Sequence, residues 1–390
     1  MLDSASFQAE KRYENQEITM KHALIVATVG SFITSFEKND IKILQQMGYQ
    51  VHVACDISEK KQELEALGVT LHPIPFARSP FSRKNLMAYR ALKQVMEETT
   101  FSLVHCHTPV GGVLARLVAG RYRKSGCKVI YTAHGFHFFK GASKKNWLIF
   151  YTVEKLFAGR TDVLITINRE DYERAVRKFR AKQVEYIPGV GLDLERFQKQ
   201  KNREVARAEL AWEATDIYLL SVGELIARKN HELVLRAMKE LNHPKLHYVI
   251  AGKGPLEGQL KEWIAQWKLE GQVELLGQRN DIPRLCEAAD IFVFPSKQEG
   301  LPVALMEAMA MELPCVASRI RGNVDLLADN AGGMLCDLSD VHAFAQAIAK
   351  LASDEELRRT LGEANGRRIV DFSLEVVDAR MREIYQNIAK

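Results

Sequence analysis

Cysteine and proline are scarce in this chain: six Cys and 11 Pro among 390 residues. The cysteines (55, 106, 127, 286, 315 and 336) form no C-x-x-C pair, and no histidines cluster near them at metal-ligand spacing. That excludes a disulfide scaffold and a structural zinc site, and it predicts a reduced, cytoplasmic chain. Most of them sit in apolar runs such as HVAC and PCVAS, where a free thiol behaves as a small hydrophobe. Long apolar runs are also missing. None approaches the roughly 20 residues of a spanning helix, so an integral membrane protein is not expected. Residues 1–19 lack the apolar core of a secretory signal and read as a loose polar leader. No G-x-G-x-x-G with an acidic residue about 20 positions later follows any strand candidate, which argues against a dehydrogenase. There is no Asp-x-Asp motif, so no metal is expected, and no nucleic-acid-binding motif, so no nucleic acid partner. With 47% apolar residues, the chain is not disordered or low-complexity.

What is present is an alternation of short β-rich runs and helical stretches. Strand candidates fall at 22–28, 50–55, 69–74, 102–106, 128–133, 162–167 and 183–188, with helical periodicity at 37–47, 84–98, 110–120, 144–158 and 168–179. The turn-rich Pro188-Gly189-Val190-Gly191 and a polar stretch at 198–210 interrupt the pattern. It restarts with strands at 216–223, 246–252, 272–277, 290–295 and 314–318. Apolar strands separated by helices specify a parallel sheet covered on both faces. The prediction is an α/β chain of two Rossmann-like, doubly wound parallel-sheet domains, 20–189 and 190–372, facing a central cleft. An amphipathic helix at 373–390 is expected to pack back on the first. Ligands in such sheets bind beyond the carboxyl ends of the strands, so the loops after strands carry the chemistry.

Charge divides between the halves. Residues 1–188 carry 28 Lys/Arg and 18 Asp/Glu, a net of +10, whereas 189–390 carry 26 and 31, a net of −5. The first half is therefore suited to an anionic partner, or simply bears a solvated basic surface.

The most specific loop lies within 293–318. A strand ends at Pro295, and a helix starts near Leu301–Val303 with Pro302 in its first turn. The amides of Gly300, Leu301 and Val303 then project from a helix N-terminus, a ready anion site. Glu299 and Glu307 flank that start; each is either a hydroxyl-accepting carboxylate or an ordinary capping or surface acid. In 221–237, Gly223, Arg228 and Lys229 precede a helix, and cations at a helix start oppose its dipole, which favours a ligand role. Gly252, Gly254 and Pro255 make a tight strand-to-helix turn. His134 and His137 follow a strand directly. A lone His also suits a structural role, and this pair lacks a sequence-adjacent carboxylate or third metal ligand.

Together, Glu-x7-Glu around Gly-Leu-Pro, followed by EAMA and PCVAS, resembles the signature of the family 4 retaining glycosyltransferases of the GT-B fold, from about residue 20 to the end. The stretch 132–175 resembles bacterial capsular and exopolysaccharide transferases in particular. By that resemblance, His134, Lys229 and Glu299 are the catalytic residues: His134 points at donor sugar and phosphate, Lys229 stabilises the leaving diphosphate, and Glu299 grips sugar hydroxyls. Glu307 takes the ribose, and the Gly300, Leu301 and Val303 amides hold the distal phosphate. Gly30, Gly223 and Gly252 border the nucleotide, while Arg279 and Asn280 seat the base through main-chain atoms. The family places an Arg directly after the Gly223 position; Glu224 stands there, leaving Arg228 as its substitute.

The resemblance implies no cofactor and no metal, since the nucleotide sugar is a substrate. It implies a UDP-N-acetylhexosamine donor and a glycan acceptor, soluble or carried on polyprenyl diphosphate. The basic, aromatic-bearing segments 78–85, 121–128 and 138–147 suit peripheral attachment to the anionic inner face of the membrane. Two alternatives stay open: a GT-B-like sugar-nucleotide epimerase, and a non-catalytic nucleotide-sugar-binding partner, which Glu224 favours.

Overall fold

The computed structural model describes residues 20–198, 202–327 and 331–390; the leader expected over 1–19 lies outside them. Seven parallel strands form the first sheet: β1 (Lys21–Val29), β2 (Tyr49–Asp56), β3 (Thr70–Pro73), β4 (Phe101–His107), β5 (Lys128–Ala133), β6 (Val163–Thr166) and β7 (Gln183–Tyr186). Their order is β3-β2-β1-β4-β5-β6-β7. The second sheet holds β8 (Ile217–Val222), β9 (Leu246–Ala251), β10 (Val273–Gly277), β11 (Ile291–Phe294), β12 (Cys315–Ser318) and β13 (Gly333–Cys336), ordered β10-β9-β8-β11-β12-β13. In each, the order reverses between two adjacent strands, β1 and β4 or β8 and β11. Loops leaving these switch-point strands diverge and leave a crevice.

The pleat explains how both faces are buried. Along β1, Ala23, Ile25 and Ala27 join one apolar cluster, while Leu24 and Val26 join another on the opposite face. The first cluster is continuous through the molecule, taking in Val53 of β2, Phe292 of β11, Leu305 and Tyr385. The helix Leu374–Ala389 closes it. Ser373 caps that helix by accepting from Val376 N, and Val377, Met381, Ile384 and Tyr385 make its buried stripe at helical spacing. Asn39 Nδ2 donates to both oxygens of Asp378, at 3.2 and 3.1 Å, pinning this helix to Lys38–Gln46 of the first half.

Strand β13 has no counterpart in the sequence prediction. It is four residues long, and a Cβ on Gly333 would lie 2.4 Å from the Cys315 carbonyl. A residue that reads as loop is thus what allows close pairing with β12. The helix after β1 also starts earlier than expected, at Gly30, and passes through a π-helical turn, Ile33–Glu37. A second π-helical turn, Trp147–Tyr151, lies within the stretch 144–158. Such turns frequently mark functional sites, because the extra residue re-aims side chains.

Candidate active site

Four neighbouring strands of the second sheet, β10, β9, β8 and β11, carry the loops singled out from sequence. Backbone packs on backbone there: a Cβ on Gly252 would stand 1.8 Å from the Gly223 carbonyl, and one on Gly223 3.0 Å from Lys229 Cε. Only glycine admits that approach. Asn230 adopts a left-handed conformation (φ 57°) and donates from Nδ2 to the Pro295 carbonyl at 3.2 Å, tying the β8 loop to the β11 loop.

The result is a compact ion cluster. Lys229 Nζ lies 2.9 Å and Arg228 Nη1 2.8 Å from the same oxygen, Oε1, of Glu299. Arg228 also donates to the Gln298 carbonyl at 2.9 Å, and its own carbonyl accepts from Lys297 N at 2.8 Å. Lys229 Nζ sits 4.8 Å from the centre of the Phe294 ring, a favourable place for a cation. Two cations on one carboxylate leave the cluster net positive, with Oε2 of Glu299 not used by either.

The helix beyond begins at Val303, with Pro302 as its N-cap rather than in its first turn, so the expected start shifts by one position. Proline suits that place, since its carbonyl still accepts from Met306 N at 3.2 Å. The Glu307 carboxylate makes no hydrogen bond or ion pair among the described residues, and burial pushes it up to about 7 despite Arg196. Arg279 is taken up by Asp281, with Nε 2.7 Å from Oδ1, and Asn280 is exposed; no contact joins either to the Lys229 cluster. Gly30 serves packing locally: a Cβ there would meet Leu64 Cδ1 at 2.9 Å and the Glu59 carbonyl at 3.0 Å.

The first sheet faces this cluster through His134. A Cβ on Gly300 would lie 2.1 Å from the His134 carbonyl, so the two halves touch backbone to backbone at that point. Arg321, after β12, holds the seam. Its Nη1 pairs with Asp171 at 2.6 Å, its Nε donates to the Glu299 carbonyl at 3.2 Å, and Nη2 donates to the Phe136 carbonyl.

Behind His134 lies a buried network that no sequence motif announced. His134 Nε2 and His107 Nδ1 are 3.2 Å apart. Glu37 Oε2 lies 3.2 Å from His107 Nε2, off hydrogen-bond alignment, and Glu37 Oε1 lies 3.6 Å from His134 Nε2. Glu37 shares a hydrogen bond with Asp40, which accepts from Tyr385 Oη at 3.0 Å; that hydroxyl lies 2.7 Å from His105 Nδ1. Burial lifts the Glu37 carboxyl well above the usual range, with Asp40 adding to the rise, and pushes Asp40 up to about 7. Burial also lowers His134 to about 4, His105 to about 3 and His107 in the same direction. Neutral imidazoles and proton-sharing carboxyls result.

Sequence reading gave His134 no carboxylate or third ligand nearby. The fold corrects this: Glu37, His107 and His134 bring three ligand-type atoms within 4.8 Å of one another, as do Asp40, His105 and His107. The short contacts use opposite nitrogens of the His107 ring, Nε2 toward Glu37 and Nδ1 toward His134.

Two facing doubly wound parallel sheets, with a cationic cluster on one side of the crevice and a histidine on the other, define a GT-B sugar transferase. Residues 202–368 match the family described as Glycosyl transferases group 1, and 22–168 match the Glycosyl transferase 4-like family. EpsD of Bacillus subtilis (strain 168), which bears a glycosyltransferase name, is 38% identical over 370 residues, covering 94% of this chain and 96% of its own. The chain belongs to the group 1 glycosyltransferases. An Escherichia coli UDP-Gal:alpha-D-GlcNAc-diphosphoundecaprenol alpha-1,3-galactosyltransferase is 29% identical, over 77% of this chain and 79% of its own. In fold, it is similar to Anabaena Alr3699/HepE, solved in complex with UDP: TM-score 0.78 at 19% identity, covering 94% of this chain and 100% of that one.

Proposed function

We propose that the protein transfers a sugar, with retention, from a UDP-sugar to a glycan acceptor carried on polyprenyl diphosphate, in the assembly of a bacterial exopolysaccharide. The observation that carries this reading is the convergence of Lys229 and Arg228 on a single oxygen of Glu299. The net positive cluster suits the diphosphate, and the second carboxylate oxygen suits vicinal hydroxyls of the donor sugar. Arg228 occupies the role that Glu224 vacates. Glu307 takes the ribose hydroxyls, and the amides at the Val303 helix start take the distal phosphate. His134 commits Nε2 to His107, which leaves Nδ1 for the donor.

In this reading the acceptor hydroxyl attacks the anomeric carbon on the face from which UDP departs. The bond to the phosphate oxygen breaks, and the hydroxyl proton passes to that oxygen. Lys229 and Arg228 offset the negative charge that develops there. The group needs no metal, because two side-chain cations and the helix start supply the compensating charge. Relatives carry the lipid-linked acceptor into the reading: the Escherichia coli galactosyltransferase is named for a diphosphoundecaprenol-linked sugar.

The test is UDP release from UDP-N-acetylglucosamine, UDP-N-acetylgalactosamine, UDP-glucose and UDP-galactose, with and without a prenyl-diphosphate-linked sugar, and NMR of the new anomeric proton. Acceptor-dependent UDP release and an α-linked product are expected. Isomerised donor without acceptor would instead make the protein an epimerase, and binding without turnover a non-catalytic partner.

A further inference from the structure

The first half carries an apolar pocket that the transfer reaction as described does not use. It has a volume of about 340 Å3 and lies between the segment 78–85 and the helical stretch 149–154, with Phe81, Val110, Leu114, Ile149, Phe150 and Val153 in its wall. Its one carboxylate, Glu154, is neutralised within the fold by Arg116 at 2.9 Å and by the Tyr131 hydroxyl at 2.9 Å. Arg78, Pro109, Val110 and His137 also line a second cavity of about 450 Å3, which opens to Ser31 and Phe32 in the first turn of the helix after β1. A third, of about 180 Å3, joins Phe150 and His137 to His134. The three cavities therefore share walls at Pro109 and His137 and lie side by side from the apolar pocket to His134, which faces Gly300.

Its surroundings are apolar and cationic together. Of the twelve large apolar side chains exposed among the described residues, five (Phe81, Leu86, Met87, Leu148 and Leu156) lie in, or within two residues of, the two segments that bound the pocket. Phe81 is 79% and Leu148 75% exposed, far more than a core-facing residue would be. The stretches 78–96 and 139–153 contain no Asp or Glu. Arg78, Arg83, Lys84, Lys140, Lys144 and Lys145 are exposed there, and none makes an ion pair among the described residues. An apolar recess, a free arginine at its mouth and a row of cavities from it to His134 match one ligand chemistry: a hydrocarbon chain ending in a diphosphate.

We propose that this pocket receives the first isoprenoid units of the polyprenyl-diphosphate-linked acceptor, with Arg78 holding its diphosphate at the junction with the crevice. The inference rests on the lipid-linked reading of the acceptor. Arg78 lines both cavities, so a diphosphate held there would direct its tail toward Phe150 and Val153 and its sugar toward His134. The acidic side chain at the wall does not oppose this, since Arg116 already compensates it.

The direct test is calorimetric titration of the full-length protein with geranylgeranyl diphosphate below its critical micelle concentration, alongside UDP. Wild type is expected to bind the prenyl diphosphate at least tenfold more tightly than inorganic diphosphate. Val153→Asp should abolish that difference and leave UDP affinity unchanged. Arg78→Glu should weaken geranylgeranyl diphosphate at least tenfold while leaving geranylgeraniol untouched. Equal affinity for prenyl and inorganic diphosphate would overturn the proposal, as would a Val153→Asp protein that binds the prenyl compound like wild type. Binding to phosphatidylglycerol vesicles without binding to geranylgeranyl diphosphate would also overturn it, assigning the face to bulk lipid. Binding as predicted, with no transfer to any prenyl-linked sugar, would leave the pocket standing and remove the functional reading instead.

Discussion

The two sides of the crevice meet at His134 and Gly300, yet they are built on opposite electrostatic plans. The β8–β11 side holds formal charges in direct contact: Arg228 and Lys229 pair with a buried Glu299, and Arg228 is still 38% exposed along its side chain. The β1–β4–β5 side holds more titratable groups, but Glu37, Asp40, His105 and His107 are all buried. Burial keeps that side uncharged by lifting the acids and lowering the histidines. One side is suited to a charged diphosphate; the other fixes a neutral imidazole at the edge of the crevice. The difference teaches that a cluster of ionisable residues need not be a charged site: a buried Glu299 faces two cations, whereas the equally buried Asp40 faces a second acid, a tyrosine and histidines.

The comparison breaks most visibly at the seam. Replacing Arg321 by Ala leaves Asp171 buried without its cation, and removing one partner of such a pair costs about 3–5 kcal/mol. Chemical denaturation should show a loss of that size, with a smaller loss for Arg321→Lys. Next in size, Lys229→Ala should lower kcat about 10²–10³-fold, the usual cost of deleting one donor to a developing negative charge. Far-UV circular dichroism should be unchanged, and Arg228→Ala should cost less, because its guanidinium is the more exposed of the two. Unaltered turnover in Lys229→Ala would remove the charged side from the account.

A smaller effect concerns Glu307. Its raised carboxyl ionises near 7, and the ionised form accepts two hydroxyls where the acid accepts less well. UDP affinity should therefore rise between pH 6 and pH 8, by about tenfold at most per titrating group. Glu307→Gln should flatten that dependence in calorimetry. The smallest effect is expected on the neutral side. Glu37→Gln preserves shape and removes only an ionisation that burial already suppresses, so kcat should change by less than about threefold. Stability should carry the signature instead. Asp40 titrates near 7 when folded and near 3.9 unfolded, so the folded state binds the extra proton between those values. That contribution to thermal stability falls as pH rises from about 4 to 7, opposite in sign to that of the buried histidines held below 6.5, so Asp40→Asn should make stability rise more steeply with pH over that range.

How much of this was legible beforehand follows from the physics of each feature. Nine of the strands leave a strong local trace, since a parallel strand buried on both faces is a continuous apolar run; the edge strands β3, β7 and β10 show only as short β-rich runs between helices, and β13, with Gly333 pressed on Cys315, shows neither. Lys229 stands out because a cation at a helix start opposes the dipole, and Glu299 because of its place in the Glu-x7-Glu pattern around Gly-Leu-Pro. Their pairing across 70 residues needs the fold. Glu37 and Asp40 read as surface acids at the start of a helix, because nothing local reveals that the helix Leu374–Ala389 will cover them through Tyr385. Arg321 gave one overlooked signal: it follows an apolar strand and precedes a glycine, the same setting as the other crevice loops.

Diffraction from crystals soaked with UDP most directly tests the claim that the charged side grips the diphosphate. The account predicts phosphate oxygens within about 3 Å of Lys229 Nζ and of the amide at Val303, with the ribose against Glu307. A nucleotide lodged elsewhere, with Lys229 still closed on Glu299, would contradict it.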